Sequence, residues 1–178
     1  MPSTYTLISS NVLSSSAASV TFSSIPSTYT DLVLRVSARN DAATIWSNDI
    51  VLQLNGSGFS TSLFSNTELT GNGATASSAR NSNGAGWNGD GGRMDTAGNT
   101  SNTFTSDEWY ISNYTGSSNK VASRSNASEQ NATTAYINAS ANLWRSTAAI
   151  TSIWIGNDYG SGNFVSGSSF YLYGVKNS

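Results

Sequence analysis

The chain has 178 residues, with 10 acidic and 8 basic side chains, no cysteine and no histidine. That length fits one domain with a genuine core, and a net charge of −2 with a pI near 4.8 argues against a nucleic-acid binder, which needs clustered Lys and Arg to displace phosphate counterions. Without Cys or His there is no disulfide, no cysteine nucleophile, no Ser-His-Asp triad and none of the usual transition-metal sites.

Ser, Thr, Asn and Gly number 35, 19, 20 and 16, about half of the chain, a composition that can signal disorder. The low charge and the 5 Trp, 8 Tyr and 6 Phe spread along the sequence argue instead for pleated surfaces joined by polar turns. Met1 to Ser10 carries no basic residue and no apolar run of signal-peptide length, and no stretch approaches the ~20 apolar residues of a membrane span. The expectation is a protein made in a cytoplasm, with no membrane and no nucleic acid among its partners.

Period-2 alternation dominates the chain in order. Ser19-Val20-Thr21-Phe22 alternates, and Ser24-Ile25-Pro26-Ser27-Thr28 supplies a turn. Asp31 to Arg39 is the clearest strand, with Leu32, Leu34, Val36 and Ala38 on one face. Ile50, Leu52 and Leu54 form another, ending in Asn55-Gly56, a hairpin signal that predicts Phe59 to Phe64 as the partner strand. Gly71 to Ser101 has few apolar residues besides Trp87 and Met94 and predicts a long loop, or an arm reaching a neighbouring subunit. Glu108 to Tyr114 reads as a strand, a turn over 115–119 follows, and Lys120 to Ser125 returns beside it. Thr134 to Ser140, Ile150 to Gly156 and Ser168 to Val175 complete the strands, with at most a helical turn near Ala141 to Thr147. The fold class is therefore all-β: one antiparallel β-sandwich over residues 1–178, jelly-roll-like, with 71–101 as a long Gly/Asn/Ser-rich loop or arm.

Candidate chemistry is thin. Asn88-Gly89-Asp90-Gly91-Gly92-Arg93-Met94-Asp95 has the oxygen spacing of a calcium loop, but it lacks a terminal Glu and carries Arg93, so a glycine-rich turn is the better reading. Among the carboxylates, Asp107 and Glu108 are adjacent and point to opposite faces of a strand, which does not suit paired acid-base work. The Ser runs lack a nucleophile elbow, and the six Asn-x-Ser/Thr triplets are near chance in such a composition. Trp46, Trp87, Trp109, Trp144 and Trp154 are candidate sugar platforms, though alternating strands send most such rings to a core. No catalytic, cofactor-binding or metal-ligating residue is assigned.

Three stretches carry a resemblance: Ala18 to Leu32 (ASVTFSSIPSTYTDL), Asn113 to Lys120 (NYTGSSNK) and Asn163 to Val175 (NFVSGSSFYLYGV). The chain resembles small β-rich virion proteins of tailed bacteriophages of aquatic and cyanobacterial type. The resemblance implies a structural, non-enzymatic protein on the exterior of the virion, made in the host cytoplasm. The role it implies is a capsid decoration (cement) protein contacting the major capsid protein, or a tail or fibre component among tail proteins that binds host-surface glycans. A homo-oligomer is expected, a trimer in particular. Tyr5, Leu7 and Ile8 at the N-terminus and Trp87, Arg93 and Met94 in the arm are the expected partner contacts, with an ordinary edge strand as the alternative for the first three.

Overall fold

Alternating apolar residues build a two-sheet architecture in the computed structural model, which describes residues 4–43, 49–58, 63–84, 86–87, 93–129, 131–157 and 162–176. Twelve strands are found among them and no helix: β1 (Tyr5–Val12), β2 (Ser19–Phe22), β3 (Asp31–Asn40), β4 (Ile50–Leu54), β5 (Phe64–Gly71), β6 (Ala76–Gly84), β7 (Asp95–Thr96), β8 (Thr105–Ser112), β9 (Lys120–Glu129), β10 (Ala135–Trp144), β11 (Ile153–Asn157) and β12 (Ser169–Val175). The large sheet runs β1-β12-β3-β8-β9-β10-β5-β6, with the short β7 beside the end of β3. The small sheet runs β2-β11-β4. All pairings are antiparallel except the two-residue β3–β7 contact.

The small sheet lies over one half of the large one. Leu32, Leu34 and Val36 of β3, Trp109 and Ile111 of β8, and Phe170 and Leu172 of β12 join Val20, Phe22, Leu52, Leu54, Ile153 and Ile155 of the small sheet in one hydrophobic cluster. This is the sandwich that the alternation predicts. The Asp31-to-Arg39 strand, the hairpin of β8 and β9 and the closing strand are borne out. The two ends of the chain are joined, since Tyr5 pairs with Val175 and Val12 with Ser169.

Three expectations need correction. Asn55 and Gly56 do take positive φ, 53° and 66°, but β4 does not form a hairpin with the following segment. It pairs with β11, nearly a hundred residues on, and through Leu52 with Trp87. Residues 59–62 lie outside the described residues, and Phe64 opens β5 in the other sheet. Ala141 to Trp144 is strand rather than a helical turn, because β10 continues in register against both β9 and β5. Within 71–101, expected as a loop, Ala76–Gly84 forms the edge strand β6 and Asp95–Thr96 forms β7.

Candidate functional site

The large sheet has two faces, and among the described residues only one is covered by other elements. Period 2 sends Lys120, Ala122, Arg124, Asn126 and Ser128 of β9 inward and Val121, Ser123, Ser125 and Ala127 outward. On β10, Tyr136, Asn138, Ser140, Asn142 and Trp144 are buried, while Ala135, Ile137, Ala139 and Ala141 are exposed. The half of the sheet formed by β9, β10 and β5 is thus inverted. Its buried face is largely polar, with Asn66, Glu68, Asn126, Asn138 and Asn142 all under 9% exposed, and its open face is largely Ala, Val, Ile and Leu.

Register lines up the outer residues across all eight strands. One row reads Leu7, Tyr173, Val33, Tyr110, Ser123, Ala141, Thr67 and Arg80. The next reads Ser10, Tyr171, Arg35, Glu108, Ser125, Ala139, Leu69 and Ser78. Large hydrophobic side chains that remain exposed among the described residues are Tyr5, Leu7, Val12, Leu69, Val121 and Ile137, at 49 to 63%. Every one of them lies on this outer face. Scattered apolar exposure is ordinary, but its collection on one side of one sheet sets that side apart as the candidate contact surface.

Charge on the face is sparse. Arg35 Nε donates to Glu108 Oε2 at 2.7 Å, so the central cation and anion neutralise each other. Tyr110 donates its hydroxyl to Asp31 Oδ2 at 2.6 Å, and that bond, ahead of burial and the Asp31 charge, pushes the phenol up to about 12. Two shallow depressions interrupt the surface. One, of about 400 Å³, has Ser37, Ser106 and Ser169 between Tyr171 and the Arg35–Glu108 pair. The other, of about 380 Å³, has Ala141 between Val121, Leu143 and Arg80. Small side chains make the floors and large ones the walls.

Beneath the sheet sits a cluster that sequence reasoning missed. Arg124, with its side chain 0% exposed, forks onto Asp107 (2.7 to 3.1 Å) and Asp49 (2.6 and 2.9 Å), and its guanidinium lies 4.8 Å from the Trp109 ring centroid. Burial pushes the Asp107 carboxyl up while Arg124 opposes that shift, and the two carboxylates outweigh the effect of burial on Arg124 and hold it above the ordinary arginine range. The available signal was Asp107 itself, which alternation places inward with Trp109 and Ile111. An acid in that position needs a buried partner. Lys120, 1% exposed, donates to the carbonyls of Gly116 and Ser118 at 2.6 and 2.5 Å and closes the β8–β9 turn. Arg39 likewise binds the carbonyls of Asn99, Thr100 and Thr103. These are fastening roles.

The predicted contact residues divide. Tyr5 and Leu7 are exposed at the β1 edge of the outer face, but Ile8 turns inward onto the core, because the register shifts between Leu7 and Ser9. Trp87 and Met94 are 0% and 1% exposed within the core of their own chain, so they are not the surface anchors expected of them. Arg93 is half-buried with its guanidinium 4.3 Å from the Tyr136 ring centroid. Trp109 and Trp144 are buried as well, Trp154 is half-buried against Gly156, and Trp46 lies outside the described residues. Of the calcium-like segment, 88–92 lies outside the described residues, and Asp95 is buried, accepting from the Glu129 and Thr105 backbone and hydroxyl groups. Among the described residues no three His, Cys, Asp or Glu side chains come together as a metal site.

Comparison with protein-family models, curated proteins and solved structures gave no match. The outer face of the large sheet is therefore the feature from which a function has to be argued.

Proposed function

We propose that this protein is a structural component of a tailed-phage particle, a decoration (cement) protein that stabilises the head through contacts bridging neighbouring subunits. The observation that supports the reading most is the collection of exposed Tyr5, Leu7, Val12, Leu69, Val121 and Ile137 on one uncovered, charge-poor sheet face. The resemblance of the three sequence stretches supplies the setting. Buried between two copies seated on neighbouring shell subunits, such a face ties those subunits together, and the contact repeated over many equivalent positions stabilises the shell by mass action. The face is poor in charge, so its grip is little affected by ionic strength.

Quantitative mass spectrometry of purified virions against the major shell protein tests this directly. Copies in the hundreds, near-stoichiometric with the shell, are expected. A few to a few dozen copies would move the protein to the tail, where glycan binding is the reading to pursue. None at all would remove it from the particle.

A further inference from the structure

We propose that the partner covering the outer face is a second copy of this chain, related by a two-fold axis that lies in the interface and runs along the strands between β8 and β9. The inference rests on reading that face as a contact surface, but not on the virion setting. Its first support is the inversion of the β9-β10-β5 half. In a half-buried strand the apolar set of the alternation faces a second layer. On β10 that set is Ala135, Ile137, Ala139 and Ala141, and it faces away from the small sheet. The chain supplies no layer there among its described residues, so the layer comes from outside.

Self-complementarity points to a copy of the same face. The β1-β12-β3-β8 half carries bulky side chains and the β9-β10-β5-β6 half mostly small ones. A two-fold along the strands sets each half against the other, row by row, within a face-to-face sheet packing. It puts Tyr110 over Ser123, Arg35 over Ala139 and Ile137 over Ser37. Large residues meet small ones at these three positions, Tyr171 meets Leu69 as an apolar pair and Leu7 meets Arg80 towards the edge. No like charges are opposed, since Arg35 and Glu108 are already paired. The area is adequate: eight strands ~4.8 Å apart and three rows of side chains span roughly 700 Å². A stable pair buries about 800 Å² on each partner.

Sedimentation equilibrium of the purified full-length protein is expected to give the mass of two chains. Ala139→Arg, at an exposed position in the middle of the small half, is expected to give one chain with an unchanged far-UV circular dichroism spectrum. Because the chain has no cysteine, single-cysteine variants report the axis even if that substitution disturbs folding. Ser125→Cys lies within about one strand spacing of the axis and joins to its own copy through a short bis-maleimide linker. Ser78→Cys on β6 stands ~34 Å from its copy by strand spacing and does not. A mass of one chain, or of three as the resemblance implies, overturns the proposal, as does equal crosslinking of the two variants. A dimer with no copies in the virion would sink the virion reading and leave this one standing, and a monomer abundant in the virion would do the reverse.

Discussion

At the scale of single residues, this protein uses its few charged groups as fasteners. Asp31 shows the pattern: its two oxygens accept from the Tyr110 hydroxyl at 2.6 Å and from the Asn113 backbone at 2.7 Å, tying the end of β3 to β8 and the turn after it. The consequence appears at alkaline pH. The Tyr110 phenol ionises at about 12 in the fold against an ordinary 10.0. Between those values the folded chain holds a proton that the unfolded chain has lost, so the bond's contribution is complete below pH 10 and falls away as pH rises towards 12. Absorbance titration of the tyrosinates is expected to show Tyr110 titrating late together with Tyr114, whose phenol burial also pushes up, and Tyr110→Phe to remove one of the two and lessen the decline of stability across that window. An unaltered decline in Tyr110→Phe would show that the Asp31 bond is not its source. None of this was legible in the sequence, where Asp31 and Tyr110 are 79 positions apart.

At the scale of elements, alternation was readable wherever one face met the core and the other met water. Thr105–Ser112 is of that kind, with Asp107, Trp109 and Ile111 buried between exposed or half-buried neighbours. It failed where both faces are polar, as in Ala76–Gly84, which lies at the sheet edge with nearly every residue exposed and so carries no period. It also misled at Ala141 to Trp144, where outward Ala and Leu with inward Asn imitate a helical composition. Asn55 shows why a correct turn can bring a wrong partner. Its side chain does not close a local hairpin; Oδ1 accepts from Thr151 N at 2.8 Å and Ser152 N at 3.1 Å, and Nδ2 donates to Ala149 O at 2.7 Å. The left-handed turn at the end of β4 is thereby locked to the segment that leads into β11. Asn55→Ala is expected to cost about 3–4 kcal/mol, from roughly 1 kcal/mol for each of the three lost bonds and up to about 1 kcal/mol because alanine tolerates positive φ less well than asparagine. Asn55→Gly loses the bonds but relieves the strain, and should recover about 1 kcal/mol of that loss in urea denaturation. Equal losses in the two variants would show that the backbone strain plays no part.

At the scale of the whole molecule, the pairing of the two chain ends decides which parts are indispensable. Both β1 and β12 are strands of the large sheet, yet they differ in what they bury. No residue of β1 is fully buried, and Ile8 alone is half-buried. In β12, Phe170 and Leu172 are 0% exposed and Val175 is 4%, and the strand sits between β1 and β3 with ladders on both sides. Burying three such side chains contributes about 5–9 kcal/mol at ~1.5–3 kcal/mol each. That is comparable with the ~5–15 kcal/mol that separates folded from unfolded domains. A chain ending at Ser168 is therefore expected to lose its cooperative urea transition and its β-sheet circular dichroism. A chain lacking Met1 to Val12 is expected to remain folded at reduced stability, because β12 becomes the edge and Phe170 and Leu172 keep the small sheet over them. That shortened chain also lacks Tyr5, Leu7 and Val12, three of the six exposed hydrophobics of the outer face. It should therefore associate more weakly than the intact protein at equal concentration. If the intact and shortened chains associate alike, the β1 edge contributes nothing to the contact, and the face works through Leu69, Val121 and Ile137 on the inverted half alone.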